Sequence, residues 1–137
     1  MTTPPFDIVD RIATVEEYRA LRASVGWATP SRSQCQAALA RSMFGVVAIS
    51  NGAAVGMARI IGDDVLYATL VDVVVAQQFQ HRGVGRRMMN RLVSWVTECG
   101  IVHVGVVAGD LVADYYEQWS FEPSGRYLRL RHGDPSP

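Results

Sequence analysis

The sequence is short of most features that would commit it to a partner by bulk attraction. Its 13 Lys and Arg are balanced by 13 Asp and Glu, so no global field draws it to nucleic acid or to an anionic membrane, and any anion site must be local. Only two cysteines occur, Cys35 and Cys99. They are far apart and lack metal-ligand spacing, so they read as reduced thiols, and no metal is expected. No run approaches the roughly 20 apolar residues that span a bilayer. The start, Met1 to Asp10, carries acids and prolines where a signal peptide needs an apolar stretch. Also absent are the Gly-x-x-x-x-Gly-Lys-Ser/Thr of a P-loop and the third glycine and downstream acid of a dinucleotide fold. The expectation is a cytoplasmic protein with neither nucleic acid nor membrane as partner.

What is present suffices for one core. A length of 137 residues with 49% hydrophobic content predicts a single domain over 1–137, with a frayed tail at 133–137. Thr14 followed by Glu17 reads as a capping box opening an amphipathic helix whose apolar positions are Val15, Tyr18, Leu21 and Val25. Pro30 and the serines after it restart a second helix, Ser33 to Arg41. Between the two, the loop from Val25 to Pro30 exposes Trp27, which reads equally as core. From Phe44 the texture turns to β: three strands ending at Ser50, Ile61 and Val75, joined by turns at Asn51-Gly52 and Gly62-Asp63-Asp64, form an antiparallel meander. Gly83 to Cys99 is a long amphipathic helix stopped by Gly100. Ile101 to Val107 reads as a buried strand, reached by a right-handed crossover and so parallel to its neighbour. Leu111 to Trp119 is a short helix, and Phe121 to Leu130 supplies one or two final strands. Their free edge predicts self-association as a dimer.

The most informative stretch runs from Val73 to Met89, where a hydrophobic strand passes through a loop into a helix. Gly83 and Gly85 fall in the first helical turn, where backbone N–H groups have no intrahelical partner. Glycines let a pyrophosphate approach those amides, and the helix dipole with Arg82, Arg86 or Arg87 adds positive charge. The plain alternative is a flexible loop with a solvated basic face.

Here the residues carry a family resemblance. Gln80-His-Arg-Gly-Val-Gly resembles the Gln/Arg-x-x-Gly-x-Gly/Ala motif of the GNAT superfamily of N-acetyltransferases. Tyr115-Tyr-Glu-Gln-Trp-Ser-Phe is similar to that family's Phe-Tyr-Glu-Lys-x-Gly-Phe segment. Departures are Gln77, where proline is common, and Ser120, where glycine is usual. The resemblance implies the α/β GNAT acyl-CoA N-acyltransferase fold: a mixed, mostly antiparallel sheet with a splayed pair of central parallel strands, flanked by helices. It implies acetyl-CoA as cofactor, held by Gln80, His81, Arg82, Gly83, Val84, Gly85 and Arg86, with Val73, Val74 and Val75 pairing to the pantetheine arm. The implied reaction is direct transfer of acetyl to a primary amine in a ternary complex. A small-molecule amine leads, with a protein or peptide amine, or a CoA-binding module without catalysis, as alternatives.

Such a transfer needs a neutral amine, a stabilised oxyanion and a proton for the departing thiolate. The resemblance gives the last role to Tyr116. For the base, Asp72 is an acid inside an apolar strand, where a lone buried charge is costly, and it reads either as a functional group, direct or through water, or as one side of a salt bridge. Strand alternation turns Asp72 away from Thr69, Val71 and Val73 unless a bulge intervenes. Thr69 stands where some family members carry glutamate and cannot act as that base. His81 and His103 are further titratable groups.

Overall fold

A computed structural model describes residues 4–107, 113–125 and 127–131. The chain runs β1 (Asp7–Asp10), α1 (Val15–Ser24), α2 (Arg32–Ala40), β2 (Phe44–Ser50), β3 (Ala53–Gly62), β4 (Tyr67–Val75), a 3-10 turn (Gln77–Phe79), α3 (Val84–Cys99), β5 (His103–Val106) and a 3-10 helix (Ala113–Trp119). Both capping boxes are formed. Glu17 N–H donates to Thr14 Oγ1 at 3.1 Å while Thr14 N–H donates to Glu17 Oε1 at 2.9 Å, and Ser31 with Gln34 repeats the arrangement on α2 at 3.2 and 3.1 Å. The cap at Ser31 starts α2 one residue ahead of the sequence expectation. Asp63 organises the β3–β4 turn by accepting the N–H groups of Val65, Leu66 and Tyr67 at 2.7–3.0 Å.

The five strands lie in sequence order. All neighbours are antiparallel except β4 and β5, which pair in parallel from Tyr67 opposite His103 to Leu70 opposite Val106. Beyond that point the two strands are not paired among the described residues, while β3 still pairs with the Val71–Val75 half of β4 on the other side. Alternation along the strands feeds two cores. Val46, Ala48, Ile60 and Leu70 pack under α3, which lays Met88, Met89 and Leu92 on them, fully buried. Val47, Met57 and Val74 pack against Tyr18, Leu21, Cys35 and Leu39 of α1 and α2. Each large apolar side chain so buried contributes about 1.5–3 kcal/mol.

Leu70 and Val74 are four residues apart yet face opposite cores, which strict alternation forbids. The cause is a β-bulge: register shifts between Met57 and Arg59, and Asp72 takes φ +57° in the left-handed region. The extra residue inverts the phase of the strand.

Three sequence expectations are corrected here. Phe121 to Leu130 forms no strand among the described residues; Pro123 and Gly125 interrupt it, and Tyr127, Leu128 and Leu130 stay exposed rather than packing as a strand face. Consequently β5 is at the sheet's edge among the described residues instead of central, and with one neighbour it is half-exposed rather than buried. The strand β1 was not foreseen, because only Ile8 and Val9 are apolar in its four residues. The tail 133–137, and Leu111 and Val112 of the expected short helix, lie outside the described residues.

Candidate acetyl-CoA site

The loop between β4 and α3 is shaped by local bonds. Ala76 N–H donates to the Val55 carbonyl at 2.8 Å, and Gln80 Nε2 reaches back to the Val75 carbonyl at 3.0 Å, tying the loop to the strand it leaves. Thus Gln80 acts through its side-chain amide as a strut. His81 and Gly83 both have positive φ, +62° and +88°. Gly83 is the N-cap of α3, and the first helical bond runs from Arg87 N–H to its carbonyl at 3.1 Å. The N–H groups of Val84, Gly85 and Arg86 therefore lack intrahelical acceptors and form the positive end of a 16-residue helix.

The two glycines serve different needs. At Gly83 a Cβ would meet nothing within 4 Å, so glycine answers the left-handed backbone. At Gly85 a Cβ would lie 3.0 Å from the Tyr115 hydroxyl and 3.7 Å from Val75 Cγ2, so glycine answers crowding. Val84 is fully buried in the α3 core and offers a ligand only its N–H. Of the arginines, Arg87 is engaged with Phe6, donating to its carbonyl at 3.3 Å and lying over its ring at 4.6 Å. Arg82 and Arg86 are exposed and form no ion pair among the described residues. Val73 and Val75 pack toward the α3 core and Val74 toward α1, leaving the backbone of this half-strand beside the flank that is unpaired among the described residues.

The 3-10 helix that carries the tyrosines is pinned to α3 by Trp119 Nε1 donating to Asn90 Oδ1 at 2.7 Å. With three residues per turn, neighbours point about 120° apart, and the two tyrosines separate. Tyr116 is 7% exposed, in edge contact with Tyr115 and Phe121. Burial pushes its phenol above the ordinary tyrosine value, and neighbouring Tyr115 adds to the shift. Tyr115 is 39% exposed. Burial raises its phenol too, opposed by the charge of Arg86. Ser120 holds φ +68°, the left-handed turn for which the family uses glycine, and its N–H donates to the Glu117 carbonyl at 2.9 Å.

Asp72 is on the other face of the sheet from Tyr116, and the structure does not bring the two together. The bulge turns Asp72 toward α1. There Oδ1 accepts from Arg22 Nη1 at 2.8 Å, and Oδ2 accepts from Arg59 Nε at 2.8 Å and from the Tyr18 hydroxyl at 2.9 Å. Both oxygens are engaged, so the geometry favours the salt-bridge reading over a free base. Tyr18, Arg22 and Arg59 are residues that sequence reasoning missed; the available signal was Arg59, the one charged residue amid the apolar positions of β3, whereas Arg22 is one of two arginines on α1. Trp27 lies under the Arg22 guanidinium at 5.3 Å, which makes it part of this cluster. His103 stacks on Tyr67 at 4.9 Å, at the end of β4 remote from the loop, and His81 is exposed in the loop itself.

A sheet whose parallel edge opens beside a glycine-started helix defines the class of acyl-CoA-binding folds to which the comparisons also point. The sequence profile of the acetyltransferase (GNAT) family matches residues 11–128, and the chain belongs to that family. An uncharacterized ycf52-like N-acetyltransferase from Prochlorococcus marinus is 30% identical over 115 residues, 80% of this chain and 64% of the relative, so the chain spans less than two-thirds of that protein. A GNAT family acetyltransferase from Streptococcus pneumoniae superimposes with a TM-score of 0.78 at 22% identity, covering 93% of this chain and 100% of that one. An aminoglycoside N-acetyltransferase bound to the bisubstrate analogue CoA-S-monomethyl-acetylneamine gives a TM-score of 0.72 at 20% identity, covering 95% of this chain and 99% of that one. No helix among the described residues is long and apolar enough to cross a membrane, and no cluster of metal-ligating side chains occurs among them.

Proposed function

We propose that this protein transfers the acetyl group of acetyl-CoA to the primary amine of a small molecule. The observation that carries the reading is the Val71–Val75 half of β4, unpaired on one flank among the described residues and joined by the glycine-bearing loop to the α3 N-terminus. The donor set there suits the cofactor: three N–H groups without helical partners and two exposed guanidinium groups without an ion pair among the described residues for a pyrophosphate, and a strand flank unpaired among those residues for an extended arm carrying amides. Acetyl-CoA would supply an activated acetyl thioester, and the chain's own groups orient and protonate. Tyr116 holds the proton that the departing sulfur takes as the amine nitrogen bonds to the carbonyl carbon and the carbon–sulfur bond breaks; the ammonium proton leaves to water. Because burial pushes the Tyr116 phenol up, it stays protonated beyond the ordinary range near pH ~10, so its ionisation does not limit turnover at neutral pH. Asp72 enters as the charge that holds Arg22, Arg59 and the bulge.

A small acceptor fits the space beside this site. A groove of about 410 Å³ between α1 and the ends of β3 and β4, lined by Glu17, Ala20, Leu21, Ser24, Ala54 and Ala76, adjoins the cofactor loop at Ala76, within the size range of small-molecule sites. The test is release of free thiol from acetyl-CoA in the presence of amine and peptide collections, run with wild type and Tyr116→Phe. Turnover with small amines, reduced about 10²-fold in Tyr116→Phe, is the expected result. Turnover with peptides alone would replace the acceptor class. Thiol release that Tyr116→Phe leaves unchanged would remove the proton-donor assignment, and no release at all would leave a CoA-binding module.

A further inference from the structure

Among the described residues, Tyr115 is the one aromatic hydroxyl set against the first turn of α3. Its oxygen takes up the space a side chain on Gly85 would need, 3.0 Å from that Cβ position, with the Val75 side chain at 3.7 Å from the same point. It thus sits where β4 ends and α3 begins. The hydroxyl has no hydrogen-bond partner among the described residues, although its own ring is fixed by edge contacts to Tyr116 and Trp119, both at 5.2 Å between centroids. Arg86, an arginine without an ion pair, is near enough for its charge to act on the phenol.

We propose that the Tyr115 hydroxyl is a binding group for acetyl-CoA, donating a hydrogen bond to a pyrophosphate oxygen beside the open N–H groups of Val84, Gly85 and Arg86. The assignment rests on the acetyl-CoA reading above. Three features support it together. The oxygen is anchored at the helix end that accepts negative charge rather than at the middle of β4, where the bulge and the thioester end of an extended arm would lie. A phenol is a neutral donor to an anion, so the bond is charge-assisted without adding a cation to Arg82 and Arg86. And Gly85, whose backbone does not require glycine, leaves room for this phenol, since a Cβ there would press on the hydroxyl at 3.0 Å. The pair Gly85 and Tyr115 therefore acts as a unit: one residue gives up its side chain so that the other's hydroxyl can stand over the helix start. The two adjacent tyrosines divide the work, Tyr115 at the phosphate end and Tyr116 at the sulfur.

Calorimetric titration of CoA, and competition by S-acetylpantetheine, which lacks the pyrophosphate, test this in wild type, Tyr115→Phe, Gly85→Ala and the double variant. Phenylalanine keeps the ring contacts, and matching thermal unfolding checks that the fold is retained. The expected result is about five- to tenfold weaker CoA binding by Tyr115→Phe, unchanged S-acetylpantetheine binding, and kcat at saturating acetyl-CoA within about twofold of wild type. Gly85→Ala should weaken CoA binding by displacing the phenol, and much less so when Tyr115 is already Phe. Equal CoA affinity in wild type and Tyr115→Phe overturns the proposal. So does an equal deficit with S-acetylpantetheine, which would put the contact on the pantetheine arm, or a fall in kcat at unchanged affinity, which would make Tyr115 a proton donor. Wild type that does not bind CoA would sink the acetyl-CoA reading itself, and this assignment with it.

Discussion

Four arginines divide between two regions that meet along β4. Arg22 and Arg59 converge on Asp72 from α1 and β3, with side chains 7% and 15% exposed; Arg82 and Arg86 stand exposed at the opening of α3 without an ion pair among the described residues. The guanidinium is the same in both places. Desolvation decides its use: taken out of water, it must be neutralised on the spot, and Asp72 with the Tyr18 and Trp27 rings does that. Left in water beside unpaired N–H groups, its charge is available to an incoming anion. One region fixes the shape of β4, including the bulge, and the other is the one proposed above to receive the cofactor.

Asp72→Ala should break this contrast most severely. It removes the carboxylate on which two largely buried guanidinium groups converge, and the expected loss is about 3–5 kcal/mol of unfolding free energy by urea titration. A loss below about 1 kcal/mol would mean the cluster is solvated and behaves as a surface pair. Arg82→Ala and Arg86→Ala should do the reverse. Each should weaken CoA binding about three- to tenfold and flatten its salt dependence, while unfolding stays within about 0.5 kcal/mol of wild type. Equal damage to stability would show that these arginines too are structural. The smallest effect is expected from Ser120→Gly, at the turn after the tyrosines. Relief of a left-handed serine should stabilise the chain by up to about 1 kcal/mol, offset in part by glycine's entropy; destabilisation in thermal unfolding would mean that the serine side chain contributes something there.

Much of the scaffold was legible because its signals are local. Thr14 with Glu17, the Asn51-Gly52 turn, and Gly83 and Gly100 bracketing α3 each satisfy backbone groups within a few residues, so sequence alone exposes them. The glycine-started loop was legible for the same reason. The bulge was not, since one inserted residue in a run of valines leaves no mark on the hydrophobic pattern, yet it turns Asp72 toward α1 and reverses what alternation implies. The partners of Asp72, Tyr18, Arg22 and Arg59, come from 54, 50 and 13 residues away, separations over which a single sequence does not pair a charge with its partner. The step of about 120° per residue in the 3-10 helix separates the two tyrosines, but the position of Tyr115 over Gly85 depends on tertiary packing that no local period reveals. The expected final strands failed because Pro123 and Gly125 interrupt Phe121 to Leu130, which makes no strand pairing among the described residues.

The central claim is that the start of α3 receives the cofactor's negative charge, and Gly83 tests it most directly. Nothing is within 4 Å of the place a Cβ would occupy there, so packing does not forbid a side chain, while φ +88° makes asparagine and aspartate comparably tolerated replacements. Calorimetric titration of CoA into Gly83→Asn and Gly83→Asp therefore isolates charge from shape. At least tenfold weaker binding by Gly83→Asp than by Gly83→Asn, at matching thermal unfolding, is the predicted result; equal affinities would contradict the assignment of this loop as the acetyl-CoA site.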